Sequence, residues 1–417
     1  MHPTRRSFLK AALGAGALAA SSRPAAADER PQPNREELQR IAETPVLKTA
    51  ALKSPVKVTS LELLHNGRTF LVRARSTDGA ESITAPNSSR LRETYPIFLR
   101  RVAPFFVGKD ARSLEPLLWE LYRRGSNYKF QGLAFWVCVA AAEMALLDLM
   151  GQVSGKPIGE FFGPIVRRDI AVYRASGNRG NRPEEEIQFL QGLVEQTGAR
   201  AIKFRAGGRM SKNRDSLPGR TEALIPLVRK TFGDDMTLYA DSNSSYDVPN
   251  AIRVGRLMEE HDYGFFEEPC QFDHLWETRR VAEALKLPVA GGEQEFSMRR
   301  FQWMIDNRAV DIVQPDLHYF GGYIRCTRVA RMAAAAGMPC TLHMSGGLGY
   351  LNVLHFTSYT PNAGPFQEFK GESSIPVECD TSTLVCENGI VRCPSGPGFG
   401  LTIDPSFVKK AREVTTI

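Results

Sequence analysis

No segment beyond the N-terminus reaches the run of about 18 apolar residues that a membrane span requires, which excludes a transmembrane helix in the mature chain. Cysteine is equally uninformative. The seven cysteines (Cys138, Cys270, Cys326, Cys340, Cys379, Cys386, Cys393) show neither the paired spacing of a zinc site nor the density of a disulfide scaffold, and read mostly as core residues. An excess of one charge is also missing. The formal charge is +7, but residues 1–27 carry Arg5, Arg6, Lys10 and Arg23 and no acid, so the remainder holds only +3, which makes no case for a nucleic-acid partner. What is left is an ordinary globular composition, 42% apolar over 417 residues, with length for two or three domains.

The N-terminus reads Arg5-Arg6-Ser7-Phe8-Leu9-Lys10, then a weakly apolar stretch to Ala20, then Ala25-Ala26-Ala27. Paired arginines, a mild hydrophobic region and a small-residue cleavage site resemble a twin-arginine export signal, so residues 1–27 are expected to engage the Tat translocon and deliver the protein to the periplasm or otherwise outside the cytoplasm. Gly14 and Gly16 among alanines give no polar face, which argues against an amphipathic surface helix. Residues 28–54 lack periodicity and read as a linker or arm.

Residues 55–166 read as an α+β domain. Two alternating runs flank His65-Asn66-Gly67, a hairpin signal, and helical spacing follows over 95–107, 114–123 and 133–150. From about Asp169 strand, turn and helix alternate. Strands are expected at 169–175, 200–205, 236–241, 263–267, 287–292, 311–315, 338–343 and 365–368. Eight such units imply a parallel sheet closed into a (β/α)8-type barrel over 167–369, with chemistry at the C-terminal strand ends. Residues 370–417, with a second hairpin signal at Asn388-Gly389, are expected to pack back on the N-terminal domain.

Three strands end on an acid: Asp241, Glu267 and Glu293, separated by 26 and 26 residues. A single acid there is commonly a helix cap, but capping does not demand an equal register. Three carboxylates brought to one point repel unless a cation lies between them, and oxygen-only ligands suit a hard ion such as Mg²⁺. The second strand ends in Lys203-Phe204-Arg205, whose alternate residues share a side. Asp316 closes the sixth strand, His343 the seventh and Glu368 the eighth. An Asp beside a His fixes its tautomer and stabilises its charged form.

Together with Asp241-Ser242-Asn243, Glu267-Glu268-Pro269, Gly321-Gly322, Ala142-Glu143 through Asp148, and Gly396-Pro397-Gly398-Phe399-Gly400, these residues give a pattern that resembles the enolase superfamily, mandelate racemase subgroup, over about 55–405. The resemblance implies Mg²⁺ on Asp241, Glu267 and Glu293, an Asp316–His343 acid/base dyad, and Glu368, kept neutral so that it can donate, hydrogen-bonded to a substrate carboxylate beside Lys203. It also implies a small-molecule carboxylate substrate and a homo-oligomer. Two departures stand out. Arg205 replaces a second basic lysine, and a guanidinium is a poor proton acceptor and a good clamp. The hairpin at Gly67 is too short for the usual flap, so either 79–92 or a neighbouring subunit covers the site, or the site is open. Loss of a β-hydroxyl needs only one base and an acid, both of which His343 could supply in a syn elimination, whereas a racemase uses two bases. The reading is therefore an acid-sugar dehydratase, with a racemase or epimerase, or a non-catalytic periplasmic binder, as alternatives.

Overall fold

The computed structural model describes residues 31–415; the expected export signal, residues 1–27, lies outside the described residues. The arm is not unstructured. Helix α1 (Arg35–Glu43) is capped by Asn34, whose side chain accepts from Glu37 N at 2.8 Å, and buries Leu38 and Ala42. Only two buried positions, four apart, carry this helix, too few to register as a period in the sequence.

Strands β1 (Val58–Asn66), β2 (Thr69–Ser76) and β3 (Glu81–Thr84) form an antiparallel meander, with Asn66 paired to Thr69 across a two-residue turn. Gly67 takes φ +59°, which explains glycine there. Helix α2 (Ser88–Ile97) starts seven residues before the expected 95, because Asn87 caps it by accepting from Arg90 N at 3.2 Å. It widens at Phe98–Val102, next to Pro96 with its missing N–H, and continues as α3 (Ala103–Phe106). Helices α4 (Leu114–Arg123) and α5 (Leu133–Ser154) complete the cap. Against the expectation that no segment beyond the N-terminus is long and apolar enough to cross a membrane, α5 is, the one such helix among the described residues, but 89% of its apolar window is buried inside the protein.

The barrel then runs β4 (Asp169–Ala175), α6 (Pro183–Thr197), β5 (Ala201–Arg205), α7 (Arg220–Phe232), β6 (Thr237–Asp241), α8 (Val248–Glu260), β7 (Phe265–Glu267), α9 (Leu275–Ala284), β8 (Val289–Gly291), α10 (Met298–Asp306), β9 (Ile312–Val313), α11 (Tyr323–Ala335), α12 (Gly349–Tyr359) and β10 (Gln367–Phe369). The seven strands are all parallel, in the order β10-β4-β5-β6-β7-β8-β9. The seventh expected strand, 338–343, is not regular. Pro315 and Pro339 supply no N–H, so that position makes isolated contacts: Val313 N to Pro339 O (3.1 Å), Thr341 N to Val313 O (3.0 Å) and Cys340 N to Asn362 O (2.9 Å). These close the ring. Alternation points Tyr173, Ala201, Tyr239, Phe265 and Ala290 into the barrel, where Tyr239 and Phe265 stack with centroids 3.8 Å apart. On β5, β6 and β7 the residues two further on are Lys203, Asp241 and Glu267, so this packed layer is the floor of the site.

The tail reaches the cap, as expected, and also pairs with the barrel. Strand β11 (Val377–Glu378) pairs with β13 (Thr402–Ile403), and β12 (Ile390–Arg392) adds antiparallel to β4 of the barrel. The expected hairpin at Asn388-Gly389 is reduced to one bridge, Glu387 to Ile390, because the start of β4, Asp169 to Ala171, ahead of the residues paired with β10 and β5, takes the strand. Helix α13 (Pro405–Lys409) and β14 (Arg412–Glu413) then return to the cap, β14 on β1.

Two acids on α5 tie the layers together. Glu143 Oε1 accepts from Ile324 N at the start of α11 (3.0 Å), and a Cβ on Gly322 would lie 2.3 Å from that oxygen. Asp148 Oδ1 accepts from Phe399 N (2.8 Å) beside Gly398, whose φ is +62°. Helix α1 docks on the outside of the barrel, Gln302 donating to Arg35 O at 2.9 Å.

Candidate active site

Parallel pairing places the strand ends side by side: Arg205 opposite Asp241, Asp241 opposite Glu267, and Asp316 bridged to His343. Asp241, Glu267 and Glu293 each offer an oxygen within 4.8 Å of the others, and all three are buried. Glu267 Oε1 and Glu293 Oε2 have no hydrogen-bond donor among the described residues. Buried, donor-free carboxylate oxygens facing one another are what a hard divalent cation satisfies, so the residues present fit Mg²⁺. Their protonation follows the crowding. Burial raises Glu267, against the pull of Lys203, and raises neighbouring Glu268 further, whereas at Glu293 burial is outweighed by His343, Arg205 and Lys203, which lower it.

Lys203, fully buried, sits between two carboxylates. Its Nζ donates to Glu267 Oε2 (2.6 Å), lies 3.0 Å from Glu368 Oε1, and reaches Tyr173 Oη at 3.3 Å. Burial alone would drive its proton off, but Glu267 and Glu368 overcome this and raise it well above the usual lysine range. Glu368 accepts from Met344 N (2.8 Å), and burial there is overcome by Lys203 and Lys370, which hold it well below the carboxylate range. It is therefore an ionised acceptor here, not a neutral donor. Arg205 is committed too: it is ion-paired to Asp241 and donates to Asn243 Oδ1 (3.2 Å), where Arg179 also donates.

Asp316 is held in place before it holds anything else. Its Oδ1 accepts from His318 N (2.7 Å) and Tyr319 N (2.9 Å), and its Oδ2 lies 2.7 Å from His343 Nδ1. With Asp316 lowered despite burial by that contact, Nδ1 carries the proton, and Nε2 turns to the cavity, 3.3 Å from both Glu293 Oε2 and Lys370 Nζ. Burial lowers His343, but Glu293, the Asp316 hydrogen bond and Glu368 together raise it.

Three residues were given no role from sequence. Asn243 (φ +41°) and Glu268 (φ +42°) occupy left-handed backbone just past β6 and β7, and Asn243 returns N to Asp241 Oδ1 (2.7 Å) and Nδ2 to Asp241 Oδ2 (3.0 Å), fixing that carboxylate. Lys370, the third, stands two residues after Glu368 and so on the same side of the strand; period two was the available signal. A cavity of about 430 Å³ opens above His343 and Glu293, lined also by Arg205, Arg209, Lys370 and, from the cap, Asn87, Ser89 and Arg90. Part of 79–92 thus forms one wall of the site. A larger groove of about 710 Å³ between α1 and Arg299 holds none of these groups.

The sequence matches the profile described as mandelate racemase/muconate lactonizing enzyme, N-terminal domain, over residues 41–163, and that described as enolase C-terminal domain-like over 185–407. An arabinonate dehydratase of Saccharolobus solfataricus is 28% identical over 72% of this chain and 78% of its own. A D-galactonate dehydratase of Xanthomonas euvesicatoria is 26% identical over 86% of this chain and 95% of its own. Among solved structures, a proposed racemase of Roseobacter denitrificans is 35% identical with TM-score 0.80, covering 86% of this chain and 99% of that one. A mandelate racemase/muconate lactonizing protein of Paracoccus denitrificans, complexed with magnesium, is 26% identical with TM-score 0.77 over 86% and 99%. Strand-end residues, capping domain and both profile matches agree, and the chain belongs to the mandelate racemase/muconate lactonizing enzyme family of the enolase superfamily.

Proposed function

We propose that this enzyme is an acid-sugar dehydratase, removing the proton next to a carboxylate and then the β-hydroxyl to give a 2-keto-3-deoxy acid. One observation carries the choice: on the side away from His343, Lys203 is pinned between Glu267 and Glu368, and Arg205 is committed to Asp241 and Asn243. Neither is free to accept a proton, so His343 is the single base. Asp241, Glu267 and Glu293 would hold Mg²⁺, which supplies positive charge for the substrate carboxylate. Lys203 adds a fixed ammonium to the same end, where charge concentrates as the α-proton leaves. Asp316 orients Nδ1 so that Nε2 faces the substrate. Glu368 holds Lys203 in place, while the wall from Asn87 to Arg90 limits entry of water. The dehydratase names of two relatives support the reaction.

Racemisation is the second reading, favoured by the 35% identical structure described as a proposed racemase. The test is a panel of aldonates and aldarates with Mg²⁺ and then with EDTA, followed by a semicarbazide assay for keto product and by NMR in D₂O. Keto product that disappears with EDTA supports dehydration. Inversion at the α-carbon without keto product overturns it.

A further inference from the structure

Lys370 lies at the mouth of the cavity, beyond the end of β10, and is tethered on three sides. Its Nζ donates to Met344 O (2.6 Å), lies 3.3 Å from Glu368 Oε2, and lies 3.3 Å from His343 Nε2, the nitrogen that faces the substrate. An unengaged surface lysine would extend into water; this one is folded inward, its side chain 33% exposed. We propose that Lys370 is the general acid that protonates the departing β-hydroxyl, an inference that rests on the dehydratase reading above.

The protons balance without an outside co-reactant. His343 Nε2 takes the α-proton, and the electron pair of that C–H bond forms the enediolate. As that pair moves into the new C=C bond, the bond to the β-hydroxyl breaks with its own electrons, and Lys370 gives the oxygen a proton so that water leaves. His343 is then an imidazolium and Lys370 a neutral amine, 3.3 Å apart, and transfer from Nε2 to Nζ restores both. The enol formed loses its O–H proton and gains one at the β-carbon to become the keto acid. The two groups stand on one side of the substrate, so the elimination is syn. The competing acid is His343 itself once it holds the α-proton, 3.3 Å from Lys370 Nζ, and undiminished dehydration in Lys370→Met would assign the step to it.

The experiment compares wild type with Lys370→Met and Lys370→Arg on whichever acid sugar of the panel is turned over, and on its analogue with fluorine in place of the β-hydroxyl. General acid catalysis of this kind contributes on the order of 10²–10⁴-fold. Lys370→Met should lower kcat for dehydration at least about 100-fold, leave KM and α-proton exchange with D₂O nearly unchanged, and regain most of the rate with the fluorinated analogue, since fluoride needs less help to leave. Lys370→Arg keeps the charge and should be as slow, because a guanidinium is a poor proton donor. Calorimetry of Mg²⁺ binding to both variants establishes that they are folded. Undiminished dehydration in Lys370→Met, a loss confined to KM, or an equal loss with the fluorinated analogue overturns the proposal and leaves the dehydratase reading standing. Loss of exchange together with dehydration assigns Lys370 to positioning His343 and also overturns it. A wild type that dehydrates none of the panel overturns both.

Discussion

Glu143 should make the protein less stable as pH rises, and replacing it should remove that dependence. The carboxyl is fully buried on α5, and burial raises it from an ordinary 4.5 to about 8, against the pull of the Ile324 and Tyr323 N–H groups. Its acid form is neutral in the folded chain at pH 7 and ionised in the unfolded chain. The unfolded state therefore gains stability from about pH 4.5 upward, until the folded group ionises near 8. The contribution is fully present below 4.5, is lost between 4.5 and about 8, and is flat above. At about 1.36 kcal/mol per pH unit the loss is about 3 kcal/mol at pH 7 and about 5 kcal/mol above pH 8. Glu143→Gln keeps an oxygen to accept from Ile324 N, and its amide takes the place of Oε2, which has no partner among the described residues. The assay is the urea midpoint of variant and wild type from pH 4.5 to 9, read as a difference because a two-layer chain need not unfold in one step. That difference should be near zero at the acid end, grow in favour of the variant, reach roughly 1 M by pH 7–8 and then level. Parallel profiles, or a variant weaker than wild type at pH 8, refute the reasoning.

Glu267→Gln should weaken Mg²⁺ binding at least about tenfold and stop turnover without unfolding the chain; unchanged affinity by calorimetry removes Glu267 from the ligand set. His343→Asn should abolish exchange of the α-proton with D₂O as well as dehydration, and exchange at the wild-type rate in that variant would reveal a second base, Lys203 first. Arg205→Lys should weaken substrate binding, seen as a higher KM, because the fork that holds Asp241 and Asn243 is lost; an unaltered KM would mean that the clamp is not needed. Changing Arg5 and Arg6 together to Lys should leave the precursor in the cytoplasm, and mature protein outside it would count against export by the twin-arginine route.

The parts legible in the sequence are those governed by local rules. Period two along a strand places Lys203 and Arg205 on one side, and short connections between strand and helix carry Asp241, Glu267, Glu293, Asp316, His343 and Glu368 to one end of the barrel at near-equal spacing. The Asn66-Gly67 signal placed the β1–β2 hairpin for the same reason. Contacts between distant segments obey no such period. Nothing in Lys370 itself says that it reaches His343, 27 residues earlier, nor that it joins Lys203 in keeping Glu368 ionised. The docking of α1, the break in the seventh strand and the capture of β12 by the start of β4 likewise depend on which surface stands opposite. The sequence by itself determined that Lys203, Arg205, Asp241, Glu267, Glu293, Asp316, His343 and Glu368 stand at the rim of the barrel. Their protonation and pairing were decided by the tertiary structure, because a buried charge is set by whatever the fold brings within a few ångströms of it.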